Sequence, residues 1–329
     1  MLPKISIITP SYNQGHFIEQ TIQSVLEQGY PNLEYIIIDG GSTDDTVDII
    51  KKYEAQVTYW VSEKDKGQSD AINKGFRLAT GDVINWLNSD DYYEAGILHH
   101  VAKIFGAEYV KAYVGRSRVF GNGVDVFTKG TDVYPGNLYK TIGWARIDQP
   151  ETFFRKSAID TIGYLNESLH YIMDKDLWIR FLCRYGVNHI VKDNELVAHF
   201  RLHQDSKTVA LRNNFSTESK DLYYAYAVNE QLENYISKLN SIFKLKTLQL
   251  DKFPIGITSI EWSYILNYFI LREGLEAYAM NDFKQANEIL GSINASLLQE
   301  DDLKTFNNVL LRLKFLPMGI KKIWNKIIK

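Results

Sequence analysis

Three groups of polar residues are spaced to do chemistry as well as to cap helices. Asp39 follows the apolar run Tyr35–Ile38 directly and precedes Gly40-Gly41, which let the backbone approach a ligand closely. A carboxylate there can accept the imide N–H of a uracil or a ribose hydroxyl; the competing reading makes Asp39 and Ser42 caps of the next helix. Asn88-Ser89-Asp90-Asp91 ends another apolar run with adjacent carboxylates, which repel unless a cation or hydrogen bonds compensate. Hard oxygen ligands suit Mg²⁺ or Mn²⁺ bridging a diphosphate, whereas the plain alternative is a capped loop at the start of a helix containing Ile97 and Val101. Asp174 and Asp176 open a helix running through Trp178 to Tyr185. They either complement its dipole or supply a general base whose pKa is raised by the apolar neighbours Tyr171, Ile172 and Met173.

The elements that hold these groups read as alternating strands and helices. Ile5–Thr9 is a β-branched run ended by Pro10, and Phe17, Ile18, Thr21, Ile22, Val25 and Leu26 follow at helical spacing. Tyr35–Ile38 is the next strand, and Ser42 with Asp45 has the spacing of a capping box for a helix carrying Val47, Ile50 and Tyr53. Val57–Val61, a helix from Ala71 to about Gly81, and Val83–Leu87 continue the alternation, which implies parallel pairing. Ligands of such sheets bind beyond the carboxyl ends of the strands, where the three polar loops would converge. Two strand-like runs around Asn122-Gly123 predict a hairpin and antiparallel strands in the second half of the sheet, and Leu196–Leu202 predicts a later strand. After about Lys207 only helical stripes remain, so a boundary is expected there.

The chain has 329 residues, 45% hydrophobic and 23% charged, which is globular composition. Lys and Arg total 37 against 40 Asp and Glu, a net charge of −3 that argues against a nucleic-acid binder. The one cysteine, Cys183, permits no internal disulfide, and a reducing cytoplasmic setting is expected. No apolar run is long enough to span a membrane.

The ordered set Ile5–Asn13, Ile38–Asp44, Asp65–Gly75, Asn88–Asp91, Gln149–Arg155, Met173–Trp178 and Phe200–Ser206 resembles the family 2 inverting glycosyltransferases of the bacterial cell-surface polysaccharide type. The resemblance implies a GT-A fold, a Rossmann-like, mostly parallel mixed sheet, as a catalytic domain over residues 1–208, with a helical domain over 209–329. It implies transfer of a sugar from a nucleotide-diphospho-sugar, UDP-linked by preference, to a hydroxyl of a glycan or lipid-linked acceptor. Asp39 matches the uracil-binding aspartate, with Thr9, Pro10, Ser11, Tyr12 and Asn13 wrapping the base, and Gln68, Asn88, Ser89 and Asp90 belong to the donor site. Asp90, Asp91 and His203 would hold Mn²⁺ or Mg²⁺, and Asp174 matches the general base. Glu151, Asp176 and Trp178 are expected on the acceptor side. Asn88 stands where the Asp-X-Asp motif has its first Asp, and Met173 stands where relatives have Glu.

Two other classes remain open from sequence: a non-catalytic sugar or nucleotide-sugar binding module, which has no need of Asp174, and a sugar nucleotidyltransferase, which would want cations in the first loop. Thr9–Gly15 contains no Lys or Arg. No Gly-x-Gly-x-x-Gly follows the first strand, which argues against a dinucleotide-binding dehydrogenase. The helical tail reads as a packing or dimerisation module, so a homodimer is among the expected assemblies. Residues 318–329 mix Ile320, Ile323, Trp324, Ile327 and Ile328 with four lysines, the composition either of a packed or solvated terminal helix or of an interfacial helix that would bring the chain to the inner face of the membrane.

Overall fold

The computed structural model describes residues 2–204, 206, 211–250 and 256–316, and these fall into two compact units. Among the described residues, the first unit holds 2–133 and 146–218, and the second holds 134–145, 219–250 and 256–316.

In chain order the first unit starts with β1 (Ile5–Ser11), α1 (Ile18–Leu26), β2 (Leu33–Asp39), α2 (Thr46–Lys52), β3 (Tyr59–Ser62), α3 (Gln68–Leu78) and β4 (Val83–Trp86). It continues with β5 (Tyr92–Tyr93), α4 (Ile97–Phe105), β6 (Ala112–Gly121) and β7 (Val124–Phe127). After 134–145 come β8 (Thr152–Arg155), α6 (Lys156–Ile162), α7 (Met173–Tyr185) and β9 (Ile190–Arg201). The strands form one sheet in the order β3-β2-β1-β4-β8-β6-β9-β5, with β7 paired to β6. β1 is buried along its whole length because parallel partners flank it, β2 from Ile5↔Leu33 to Ser11↔Asp39 and β4 from Ile5↔Val83. Strands covered on both faces are mostly apolar, as Tyr35–Ile38 shows; in Ile5–Ile8 the one polar residue, Ser6, is buried and donates its hydroxyl to Glu34 at 2.5 Å.

The second half of the sheet is mixed, as expected: β8 runs antiparallel to β4 and β6, and β6 runs parallel to β9. Gly121↔Val124 closes a two-residue hairpin in which Asn122 (φ 48°) and Gly123 (φ 75°) are both left-handed, the conformation that Asn-Gly favours. Two local expectations change. The Asp90-Asp91 loop does not start a helix directly, because β5 intervenes and pairs with β9 (Tyr92↔His199) before α4 begins after Gly96. Ser42 and Asp45 form no capping box, since the Ser42 hydroxyl turns to Asp39.

A helix α8 (Arg212–Asn229) begins in the first unit and ends in the second. The second unit also contains α5 (Leu138–Trp144), α9 (Glu233–Ile242), α10 (Ser259–Ala279), α11 (Phe283–Gly291) and α12 (Glu300–Phe315). A reciprocal Thr258–Glu261 capping box starts α10. That helix is buried nearly all round, and much of the aromatic content is spent on it: Tyr223 stacks on Phe269 with ring centroids 4.0 Å apart, and Tyr226 on Trp262 at 4.7 Å. Although α5 lies between β7 and β8 in sequence, its partners are C-terminal helices. A Cβ on Gly143 would stand 2.6 Å from the Ile265 carbonyl oxygen. Lys140 Nζ donates to Asp302 Oδ1 at 2.6 Å, and Asn137 Nδ2 donates to the Tyr268 hydroxyl at 2.9 Å. No described helix is long and apolar enough to cross a membrane; residues 318–329 lie outside the described residues.

Candidate active site

The Ser11↔Asp39 register sets the loops after β1 and β2 side by side. Asp39 is fully buried and organises its own loop: Oδ2 accepts the N–H groups of Gly41 (3.1 Å) and Ser42 (2.9 Å) and the Ser62 hydroxyl (2.6 Å), while Oδ1 accepts the Ser42 hydroxyl at 2.5 Å. The two loops are stitched together as well. Asn13, at φ 53°, donates its N–H to Ser42 Oγ (2.7 Å) and accepts the Thr43 N–H on Oδ1 (2.8 Å), and the Gly15 N–H reaches Asp44 Oδ2 at 2.9 Å. This is why Ser42 is not free to cap α2. Thr9, Pro10 and Ser11 are buried beneath the loop, with Thr9 Oγ1 3.0 Å from the Tyr35 hydroxyl, whereas Tyr12 is 60% exposed at its rim beside exposed Asn13.

The loop after β4 is fastened from below, where the Thr21 hydroxyl lies 3.0 Å from the Ser89 carbonyl oxygen and 2.6 Å from that of Asp91. Gln68, the first residue of α3, donates Nε2–H to Asn88 Oδ1 at 2.9 Å. Asp90 and His203, far apart in sequence, meet with Oδ2 and Nε2 3.0 Å apart, and the His203 ring packs on Phe17 at 4.7 Å. Asp91 points inward: Oδ1 accepts the Arg201 N–H at 2.9 Å, and Oδ2 is buried without a hydrogen-bond partner. Burial, and then the neighbouring Asp90 charge, push its carboxyl well above the usual range. Arg201 lies in the matched stretch Phe200–Ser206, where the resemblance gave a role only to His203. It donates Nε–H to the Asp90 carbonyl oxygen at 3.0 Å, and its guanidinium carbon lies 4.8 Å from the Phe120 ring centroid and 5.1 Å from that of Phe17, so β9 holds the loop from a second side.

Asp174 sits in the first turn of α7, half-buried, where Oδ1 accepts the Lys175 N–H at 2.8 Å. Burial pushes its carboxyl up to about 6. The two nearby acceptor-side candidates face elsewhere. Asp176 Oδ2 accepts Arg180 Nε–H at 2.9 Å, with both side chains almost wholly buried, and Trp178 is a core residue stacked on Phe181 at 5.3 Å. Glu151 is also fully buried. It pins the 128–131 loop by accepting the Thr131 N–H at 2.9 Å, while Arg146 bridges Asp132 (3.3 Å) and Asp148 (3.1 Å) and donates to the Gly130 carbonyl oxygen.

Burial first, and the Asp148 charge second, push Glu151 up to about 8. A carboxyl raised on folding stabilises fully below its unfolded pKa, and that contribution is lost as pH climbs through the folded value. Glu151→Gln keeps an acceptor for Thr131 and removes this titration. Its urea midpoint relative to the parent should therefore improve between pH 5 and pH 8.5, by roughly 1–3 kcal/mol at the upper end. A pH-independent difference would refute the assignment.

Among the described residues no group of three or more His, Cys, Asp or Glu gathers as a metal site. The Asp90–His203 pair nevertheless fits a Mn²⁺ or Mg²⁺ ion that draws its other oxygens from a ligand: the two side chains already converge, and Asp91 Oδ2 lies buried and unpartnered in the same loop.

Residues 6–162 match the family model described as glycosyl transferase family 2. A glycosyltransferase of Mycobacterium tuberculosis, uncharacterized, is 32% identical over 187 residues, spanning 54% of this chain and 68% of that one. The chain belongs to glycosyl transferase family 2. A second relative of this family 2 enzyme, an uncharacterized glycosyltransferase of Rickettsia typhi, is 29% identical over 311 residues, 91% of this chain and 90% of the relative. Its fold is GT-A: the structure of S. aureus TarS 1–349 in complex with UDP-GlcNAc superposes with a TM-score of 0.63 at 15% identity, covering 98% of this chain and 92% of that one.

Proposed function

We propose that this family 2 glycosyltransferase moves a sugar from a UDP-sugar to a hydroxyl of a glycan or lipid-linked acceptor, with inversion at the anomeric carbon. The observation that carries the reading is Asp174: a carboxyl raised to about 6 takes a proton more readily than an exposed aspartate and is still largely ionised near neutrality. The uridine preference comes from the resemblance at Asp39, whose buried carboxylate here shapes the loop that would meet the base, and is supported by the exposed rim residue Tyr12 and by the nucleotide-sugar in the TarS complex. Asp90 and His203 would hold Mn²⁺ or Mg²⁺, with Asp91 behind them. When bound, the cation supplies positive charge against the diphosphate.

The chain's own residues do the rest. The stitched Asp39 loop fixes the nucleotide end, and the Gln68–Asn88 pair lines the donor side. Asp174 accepts the proton of the acceptor hydroxyl as that oxygen bonds to the anomeric carbon. The bond from that carbon to the diphosphate breaks, and UDP leaves with the electron pair. One displacement inverts the centre.

UDP with Mn²⁺ should raise the melting temperature more than UDP with EDTA, and more than GDP or dTDP with Mn²⁺. Equal shifts with and without metal would remove the cation from this reading, and tighter binding of GDP would remove the uridine preference. We further propose a cytoplasmic enzyme that reaches the membrane through residues 318–329. Flotation with anionic vesicles should weaken as salt rises and disappear when those residues are deleted.

A further inference from the structure

Asp174 stands at the start of a helix that does not cap itself. The residue before α7 is Ile172, which makes no side-chain hydrogen bond to the first turn. The polar partner of the chain entering α7 comes from α8 instead. Glu218 Oε1 accepts the His170 N–H at 3.0 Å, and Oε2 accepts those of Tyr171 (2.7 Å) and Ile172 (3.0 Å). One half-buried carboxylate thus gathers three consecutive backbone donors that lie 46 to 48 residues before it in sequence. Hydrogen bonds to an ionised acceptor are the stronger kind, and a negative charge ahead of a helix also suits its dipole. Two neighbours on α8 grip the same loop: Asn214 Nδ2 donates to the Tyr171 hydroxyl at 2.9 Å, and the Phe215 ring packs on Tyr171 with centroids 5.4 Å apart.

These contacts reach Asp174 through the backbone. The Ile172 carbonyl oxygen accepts the Asp176 N–H at 3.0 Å, and Asp174 Oδ1 accepts the Lys175 N–H within the same turn at 2.8 Å. The carboxylate therefore goes where the first turn goes. Leu169, Ile172 and Met173 are buried, which sets the depth of the loop, but apolar packing is non-directional and leaves the tilt of the peptide planes to the Glu218 carboxylate. We infer that Glu218 is a positioning residue for Asp174: it orients the 170–172 loop, and with it the first turn of α7, so that the Asp174 carboxylate meets the acceptor hydroxyl. This rests on the reading of Asp174 as the general base. Glu218 lies beyond Phe200–Ser206, the last stretch that carries the resemblance, and beyond the residues 6–162 that match the family model. Since a misplacement of about 1 Å at a reacting group can cost on the order of 100-fold in rate, a cap supplied from α8 is worth a measurable share of turnover.

The test uses the full-length protein and two readouts. The first is amide hydrogen–deuterium exchange by mass spectrometry: Glu218→Ala should speed exchange over residues 170–176 about tenfold or more while leaving β1 as protected as in the parent. The second is release of UDP from UDP-GlcNAc or UDP-glucose with Mn²⁺, water serving as the acceptor. Here Glu218→Ala should lower kcat about tenfold and keep the KM for the donor and the affinity for UDP within about twofold. Added to Asp174→Asn, it should slow the reaction by less than about twofold further, because it acts through the group already removed. Glu218→Gln keeps one accepting oxygen and turns N–H groups toward the remaining donors, so it should fall between Glu218→Ala and the parent in both readouts.

Unchanged exchange over 170–176 in Glu218→Ala overturns the inference whatever the rate does. So does a loss that multiplies with that of Asp174→Asn, which would place Glu218's effect elsewhere, or a loss that appears in the donor KM instead of kcat. Should Glu218→Ala fail to fold, Glu218→Gln decides, and parental exchange and kcat there count against the inference. Asp174→Asn slow with Glu218→Ala at the parental kcat leaves the base reading standing and defeats only the role given to Glu218. Asp174→Asn at the parental kcat defeats the base reading itself, and a parent that releases UDP from neither sugar counts against the UDP-sugar reading on which both depend.

Discussion

Asp174→Asn should lower the rate of sugar transfer about 100-fold or more while leaving UDP affinity nearly unchanged. Asn is close in shape and keeps an oxygen for the Lys175 N–H now 2.8 Å from Oδ1, so the start of α7 is preserved and the loss is one of proton acceptance. The pH profile gives an independent check. The carboxyl is raised to about 6 by burial. The active form is the ionised one, so the rate should fall below that pH and level off above it. Folding stability runs the other way for the same group: it is greatest below the ordinary aspartate pKa and declines as pH rises through about 6. Normal turnover by Asp174→Asn, or a rate that stays flat down to pH 5, would remove Asp174 from the chemistry.

The largest stability effect is expected at Arg180. Its Nε–H meets Asp176 at 2.9 Å, and the guanidinium also donates to the carbonyl oxygens of Ile162 (2.6 Å), Gly163 (2.9 Å) and Tyr164 (2.7 Å), which ties the end of α6 to α7. Arg180→Met takes the guanidinium away from a buried carboxylate and from three carbonyls. Breaking a buried pair from one side costs about 3–5 kcal/mol, readable as a shift of the urea midpoint. Adding Asp176→Asn should recover part of that loss, because the buried negative charge goes with it. A cost below about 1 kcal/mol would mean the pair is dispensable. Asp176→Asn alone should destabilise the protein more than it slows transfer.

Residue type and local order made much of this legible beforehand. Tyr35–Ile38 announced a central strand because burial on both faces favours an unbroken apolar run, the β-branched Ile5–Thr9 announced its neighbour, and Asn122-Gly123 announced its hairpin because few residues tolerate two consecutive left-handed conformations. What local order could not carry was competition for a side chain. Ser42 has the spacing of a helix cap, but the Asp39 carboxylate and the Asn13 N–H claim its hydroxyl. Asp176 looks like Asp174 on paper, and only Arg180 one turn on, with the carbonyls it collects from 162–164, makes it a structural anchor. Arg201 lies in a matched stretch but was given no role, because its role is a set of contacts to Phe17, Tyr92, Phe120 and the Asp90 carbonyl, assembled from three segments besides its own.

The pairing of α5 with α10 bears on how the chain is made. Ile142 and Gly143 leave the ribosome with the rest of α5, but the surface they pack on, around Ile265 and Tyr268, is complete only when α10 ends at Ala279, about 135 residues later. At about 5–20 residues per second that is a wait of roughly 7–27 s. During that interval the strands on either side of the segment can pair while it stays uncovered, a natural station for a chaperone. A chain stopped at residue 208 would never end the wait. Such a fragment should therefore be poorly soluble even though every strand of the sheet has been synthesised.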